Sequence, residues 1–232
     1  MGSTERLALA RATYAHYGTM LGEALWFRHR GTEELSQVVT LAGWEQVEAA
    51  RAAKRPIFIL SGHCGNWELL AAALNARGLG MAVVARELED PGLQAMLVDL
   101  RHRFGTPTIV RGTRGAARSL LAALRSDGAL GMLIDQDTKV DGVFVPFFGR
   151  PAFTPVGAAE LALRFDAAVL PTFIERLDDG THRALIQPPL ALPTDLTAAT
   201  ALMTERIEAQ IRRVPAQWVW LHRRWRKQPP PN

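Results

Sequence analysis

The 232 residues contain one cysteine, Cys64, and only three lysines. A single thiol rules out an intrachain disulfide and any metal site built from several cysteines. No run of about 18 uncharged apolar residues is present, so nothing reads as a bilayer-spanning helix. Glu5, Arg6 and Arg11 stand where a signal peptide would have its apolar stretch; a secretory leader is not expected, and a cytoplasmic setting is the default. A G-x-S-x-G elbow, an H-E-x-x-H or C-x-x-C pair, an aromatic RNA-binding motif and a zinc-finger spacing are also missing. Serine hydrolases, zinc enzymes and nucleic-acid binders therefore lack their signatures here, and no metal is expected.

Arginine takes the place of lysine. There are 24 arginines, and the formal net charge is +4. A genome that favours arginine codons accounts for this, and so does contact with phosphate or carboxylate, which a planar guanidinium binds bidentately. Basic charge by itself does not separate nucleic acid, anionic lipid and acidic protein as partners. Hydrophobic content of 48% with 22% charged residues is that of a globular chain able to bury a core.

Periodicity organises the chain into an α/β domain. A helix is predicted over 4–29, with Leu7, Ala10, Tyr14, Tyr17, Leu21, Leu25 and Phe27 on one side, and a second over 32–53. Strands are predicted at 57–60, 81–86, 107–110, 129–135, 168–176 and 182–187. Helices are predicted at 67–76, 91–104, 113–126, 155–165 and 195–213. This alternation implies a mostly parallel central sheet with helices on both faces. Residues 1–53 then form an N-terminal helical cap, and 54–232 the catalytic core of a single domain. Ligands of such sheets bind beyond the carboxyl ends of the strands. Three polar groups fall there: SGHCGNWE (61–68), Arg86 and DQD (135–137).

In SGHCGNWE, Gly62 and Gly65 allow a sharp turn and close approach of a ligand. Asn66 is a good helix N-cap, which places Glu68 in the first helical turn, where the dipole favours a carboxylate. His63 and Glu68 are then expected to meet, Glu68 holding one imidazole nitrogen as donor and leaving the other to accept a proton. Such a base lacks its own nucleophile, so the attacking group comes from the substrate. Cys64, beside a histidine, is a second candidate nucleophile.

HCGNWE fits the HX4(D/E) motif of glycerolipid and lipid A acyltransferases. The string DQDTKVDGVFVPFFGRPAFTPVGAAELALRFDAAVLP and the ending PAQWVWLHRRWR resemble the bacterial lipid A biosynthesis (lauroyl/myristoyl) acyltransferases. The resemblance runs from about residue 10 to 227. It implies an O-acyltransferase that moves a fatty acyl chain from an acyl carrier protein or coenzyme A thioester to a hydroxyl of a lipid A precursor or related glycolipid. Other membrane-lipid acceptors (phospholipid, mannolipid or amino-lipid) and thioester hydrolysis are the alternatives. His63 and Glu68 would be catalytic, with amides around Gly62 to Gly65 and Asn66 steadying the oxyanion. Arg101 and Asp135 match positions the family uses for substrate, and Arg86 is a phosphate-binding candidate by position. Phe147 and Phe148 line an acyl groove or pack a lid. No metal or redox cofactor is implied beyond the thioester co-substrate. Family members carry an N-terminal membrane-spanning segment, and these residues start beyond its place. Either that segment has been removed, or the protein attaches peripherally to the anionic cytoplasmic face of the bacterial inner membrane through its first helix and the tryptophan- and arginine-rich end.

Overall fold

The computed structural model describes residues 2–125 and 128–230. The first helix, α1, spans Ser3–Phe27. Helices α2 (Thr32–Val38), α3 (Glu45–Ala52), α4 (Trp67–Ala76), α5 (Pro91–Arg103), α6 (Ala116–Arg125), α7 (Gly157–Arg164) and α8 (Leu196–Arg213) follow. Ser126, the expected last residue of the sixth helix, lies outside the described residues. Seven strands form the main sheet: β1 (Val39–Ala42), β2 (Ile57–Ser61), β3 (Met81–Ala85), β4 (Thr108–Val110), β5 (Ala129–Leu133), β8 (Ala168–Arg176) and β9 (His182–Ile186). Their order is β1-β9-β8-β2-β5-β3-β4, parallel throughout except for the β8–β9 pair. Strands β6 (Gly142–Phe147) and β7 (Arg150–Pro155) make a separate antiparallel hairpin.

Local chemistry explains the boundaries that matter for the site. Every residue of β2 is buried, as a central parallel strand requires. Helix α4 starts where Asn66 accepts the amide of Leu69 at 3.2 Å and stops before Gly78, whose φ of +86° suits the left-handed cap. Asp90 with Pro91, and Asp195, start α5 and α8 in the same way, each aspartate accepting an amide three residues on at 2.7 Å. Two apolar layers sandwich the sheet. One is built under α1 to α5 from residues such as Phe27, Val47, Leu74 and Leu100. The other lies under α6 to α8 and the hairpin, with Leu124, Ala162, Ile207 and Phe147.

Three elements differ from the sequence reading. Residues 32–53 are not one helix, since Val39–Ala42 form the edge strand pairing in parallel with β9. The β-branched run Val38, Val39, Thr40 favours extended backbone, and Gly43, at φ +82°, ends the strand where any Cβ would lie 2.0 Å from the Ile186 carbonyl oxygen. The proposed helical cap is thus partly built into the main sheet. Residues 142–155 form the β6–β7 hairpin. Pro146 and Pro151 face each other across it and mask its strand pattern, and the turn passes through Phe148 and Gly149 at φ +52° and +71°. On α1 the docked stripe is Thr13, His16, Ala24 and Phe27, whereas Leu7, Tyr14, Leu21 and Leu25 are exposed.

Candidate active site

Strands β2 and β5 are neighbours, paired in register from Ile57↔Ala129 to Ser61↔Leu133. The chain leaving β2 crosses to β3 on one side, and the chain leaving β5 reaches β8 on the other, so the sheet switches direction between them. His63 and Asp135 each lie two residues beyond the last pair of that ladder. They meet there. His63 Nδ1 lies 2.8 Å from Asp135 Oδ1, and the His63 backbone N–H donates to Asp135 Oδ2 at 2.8 Å. Trp218 donates its indole N–H to the same Oδ2 at 2.7 Å. Asp135 is fully buried while the imidazole remains 22% exposed. Burial alone would push the Asp135 carboxyl up. The charge of His63 and the three donors outweigh it and hold the group below the usual carboxylate range.

Glu68 does not orient His63. Its carboxylate is taken by Arg101 of α5, with Nε to Oε2 at 2.8 Å and Nη2 to Oε1 at 2.6 Å. Both side chains are nearly buried. Burial works against the guanidinium charge, but Glu68 more than compensates and raises the Arg101 pKa. The reason is geometric. On a helix starting at Trp67, Glu68 faces the neighbouring α5, while Asp135 reaches the imidazole from the adjacent strand.

The remaining expected positions divide clearly. A Cβ on Gly62 would sit 2.7 Å from Ile207 and 3.3 Å from the Asp135 carboxylate, and one on Gly65 would lie 2.0 Å from the Ile174 carbonyl oxygen. These glycines admit protein, not ligand. Three of the expected oxyanion amides are already engaged: the His63, Cys64 and Gly65 N–H groups donate to Asp135, Gly62 and Gln217. Asn66 is buried, capping Leu69 and donating to Glu23 Oε2 at 2.7 Å, so it is closed to substrate. Phe147 is fully buried against Trp218 and Trp225, each 5.7 Å away between ring centroids, as lid packing and not a groove wall. Phe148 is half-buried beside Trp220, with the Arg212 guanidinium 4.8 Å from its ring centre. Arg86 is exposed beyond β3 and makes no ion pair among the described residues. Cys64 is buried and its thiol is pushed up to about 12, chiefly by burial and then by Asp135, which makes it a poor nucleophile at neutral pH. Among the described residues no group of three or more His, Cys, Asp or Glu side chains is arranged to hold a metal ion.

Sequence reasoning missed His222 and Tyr17. His222 Nε2 accepts the Asp137 amide at 2.9 Å, which leaves its proton on Nδ1. Burial lowers its pKa, and it is close enough to Asp135 and His63 to feel both. The Tyr17 hydroxyl is buried without a hydrogen-bond partner among the described residues, and burial, then the nearby Asp135 and Cys64, raise its pKa. Both positions needed the fold, although the histidine of the C-terminal W-x-W-x-H-R-R-W string was visible beforehand.

The sequence matches the family described as bacterial lipid A biosynthesis acyltransferase over residues 1–227. The chain belongs to that family. Among similar proteins is a phosphatidylinositol mannoside acyltransferase of Mycobacterium tuberculosis (strain CDC 1551 / Oshkosh), 28% identical over 219 residues covering 92% of this chain and 68% of that protein. A lipid A biosynthesis palmitoleoyltransferase of Escherichia coli (strain K12) is 28% identical over 193 residues, 81% of this chain and 61% of that protein. A lipid A biosynthesis lauroyltransferase of the same organism is 26% identical over 245 residues, 99% and 75% respectively. The protein is an acyltransferase, and the α/β architecture with a leading helix agrees with that membership.

Proposed function

We propose that this acyltransferase moves a fatty acyl chain from an acyl carrier protein or coenzyme A thioester to a hydroxyl of a membrane glycolipid, with His63 as general base and Asp135 as its partner. The His63–Asp135 contact carries the reading: a buried carboxylate on Nδ1 leaves Nε2 to accept a proton. His63 Nε2 takes the proton of the acceptor hydroxyl as that oxygen attacks the thioester carbonyl. Asp135 stabilises the resulting imidazolium. Collapse of the tetrahedral intermediate breaks the C–S bond, and the imidazolium returns the proton to the departing thiolate. His222 Nδ1–H is the donor available for the oxyanion, held neutral by the Asp137 amide. Glu68 would position Arg101, whose Nη1 takes no part in their pair, towards phosphate on donor or acceptor. No metal or redox cofactor enters these steps.

The relatives' names favour glycolipid acceptors, phosphatidylinositol mannoside and lipid A. No helix among the described residues is long and apolar enough to cross a membrane. Attachment to the anionic cytoplasmic face of the inner membrane is proposed through Leu7, Tyr14, Leu21 and Leu25 of α1 with Leu93 and Val98 of α5, all of them exposed apolar side chains. Helices α1 and α5 are joined by the Arg28–Asp99 ion pair at 3.1 Å, and α1 carries Arg6 and Arg11 for anionic headgroups.

The test combines purified protein, detergent-dispersed glycolipid acceptors and matched lauroyl and palmitoyl thioesters of carrier protein and coenzyme A, read by mass spectrometry. Acylated lipid that disappears in His63→Ala and Asp135→Asn is expected. Free fatty acid without acylated lipid would indicate a thioesterase, and full transfer by His63→Ala would overturn the mechanism.

A further inference from the structure

Helix α1 lies outside the βα alternation, yet its side chains reach the catalytic loop. His16 Nε2 approaches the Gly65 carbonyl oxygen at 3.4 Å. Two turns on, Glu23 accepts from Asn66 Nδ2 at 2.7 Å, from Arg176 at the end of β8 through both guanidinium NH2 groups, and lies 2.8 Å from His182 Nε2 at the start of β9. The Arg176 backbone is held in turn by the Gln217 side chain, which accepts its N–H at 2.8 Å and donates to its carbonyl at 2.9 Å. The Gln217 carbonyl accepts the Gly65 N–H at 2.9 Å. These contacts close a ring: Gly65 to Gln217, to Arg176, to Glu23, to Asn66, and back along the chain to Gly65.

We propose that Glu23 is a positioning residue for the transfer reaction, the carboxylate that closes a hydrogen-bonded clamp around Gly65–Asn66 and so sets His63 against Asp135 on one side and Glu68 against Arg101 on the other. Nothing in the ring touches the reacting atoms; it acts on the two residues between them. Asn66 has one free choice, which way its amide faces, and Glu23 settles it: the carboxylate demands the NH2 end, which turns the oxygen to the Leu69 amide and starts α4. Glu68 and Arg101 follow from that start. The preceding turn has little slack, because Gly65 sits at φ +68° with the Ile174 carbonyl against its Cα. Burying these ions carries a desolvation cost that the hydrogen bonds on Glu23 outweigh, and the rigidity gained matters where misplacement by about 1 Å can lower a rate about 100-fold. The glutamate comes from a helix that the sheet does not need for its topology.

The inference rests on the proposed transfer reaction but is tested partly without it. Glu23→Gln is compared with Glu175→Gln, which removes a buried carboxylate next to the ring that is paired with Arg183 and Arg213 and hydrogen-bonded to none of the ring's members. Well below each variant's Tm, Glu23→Gln is expected to lower kcat at least about tenfold with KM within about twofold, and Glu175→Gln to leave both near wild type. In a Glu23→Gln/Asn66→Ala double variant the two kcat losses should combine to less than their product. Independently of turnover, the ¹⁵N signal of the His63 Nδ1–H in the whole protein should move in Glu23→Gln and stay in Glu175→Gln. A fall in Tm with kcat and the His63 signal unchanged makes Glu23 a stability residue only and overturns the proposal. If wild type acylates none of the acceptors, the transfer reading fails, while the His63 signal still decides the clamp.

Discussion

Asp135 and Glu68 are both buried carboxylates within reach of the one loop that carries His63, yet they serve different partners. Asp135, from the next strand, holds the histidine; Glu68, five residues along the same chain, holds an arginine. Sequence proximity favours Glu68, but strand register favours Asp135. Two parallel strands lie about 4.8 Å apart, so residues at matching positions past their ends are natural partners, whereas a helix start turns its first side chains away. The HX4E spacing therefore marks two sites, a histidine held by Asp135 and an ion pair, joined by one turn.

The sharpest way to break this contrast is to exchange carboxylates for amides. Asp135→Asn should lower kcat about 10³–10⁴-fold, because an amide no longer fixes the imidazole tautomer or stabilises its cation. Glu68→Gln should cost less in kcat, about 10–100-fold, and should raise KM as Arg101 loses its anchor. Steady-state kinetics on both variants checks the ranking. If Glu68→Gln proves the more damaging in kcat, Glu68 takes part in proton transfer and the assignment of Asp135 is wrong.

Stability should rank the pair the other way. Arg101→Met leaves the Glu68 carboxylate buried and alone, and urea unfolding should report a loss of about 3–5 kcal/mol. Adding Glu68→Leu should recover most of it, since a packed apolar pair is often as stable as a buried ion pair. A double variant no better than the single one would mean that the pair holds α4 against α5 through geometry an apolar pair cannot replace.

How much of this was legible beforehand follows from what each inference needs. The Asn66 cap and the Gly78 stop are local, and α4 runs from Trp67 to Ala76 as they dictate. Strand β8 at Ala168–Arg176 was equally plain. The convergence of His63 and Asp135 at strand ends follows from alternation, but their contact does not, since strand order and register are long-range facts. Phe147 read as groove or lid with equal ease because a strand that carries Pro146 looks like a loop. On α1, two apolar stripes defeat a one-face reading: the larger side chains mark the uncovered face, while the covered one is built from Thr13, His16, Ala24 and Phe27. Glu23 was hidden for a related reason, since an acidic residue on an arginine-containing helix reads as solvated charge.

The same two-carboxylate contrast extends to Glu23 through pH. Burial opposes ionisation of Glu23, but hydrogen bonds from His182, Arg176 and Asn66 lower its pKa from 4.5 to about 2. The folded state therefore binds this proton less readily than the unfolded chain. Its stabilisation is fully present above the unfolded value near 4.5 and is lost as pH falls towards about 2, an effect on the order of 3 kcal/mol. Wild type minus Glu23→Gln, followed as Tm between those limits, should shrink on acidification. A difference that stays constant would show that the charge of Glu23 contributes nothing to stability.

The smallest expected effect concerns Cys64, the neighbour of His63. If position in the motif decided role, this thiol would be a nucleophile. Instead it is fully enclosed, paired through its backbone with the Trp218 segment, and its thiol is pushed up to about 12. At neutral pH almost none of it is thiolate, and the side chain is buried. Cys64→Ala should thus keep kcat within about twofold and lose about 1 kcal/mol of stability, the typical cost of a point change. Iodoacetamide should leave the folded wild-type protein active and unlabelled, and label it in urea. Rapid alkylation of the native protein with loss of transfer would place Cys64 in the chemistry beside His63, and would reduce the Asp135 contact to a structural one.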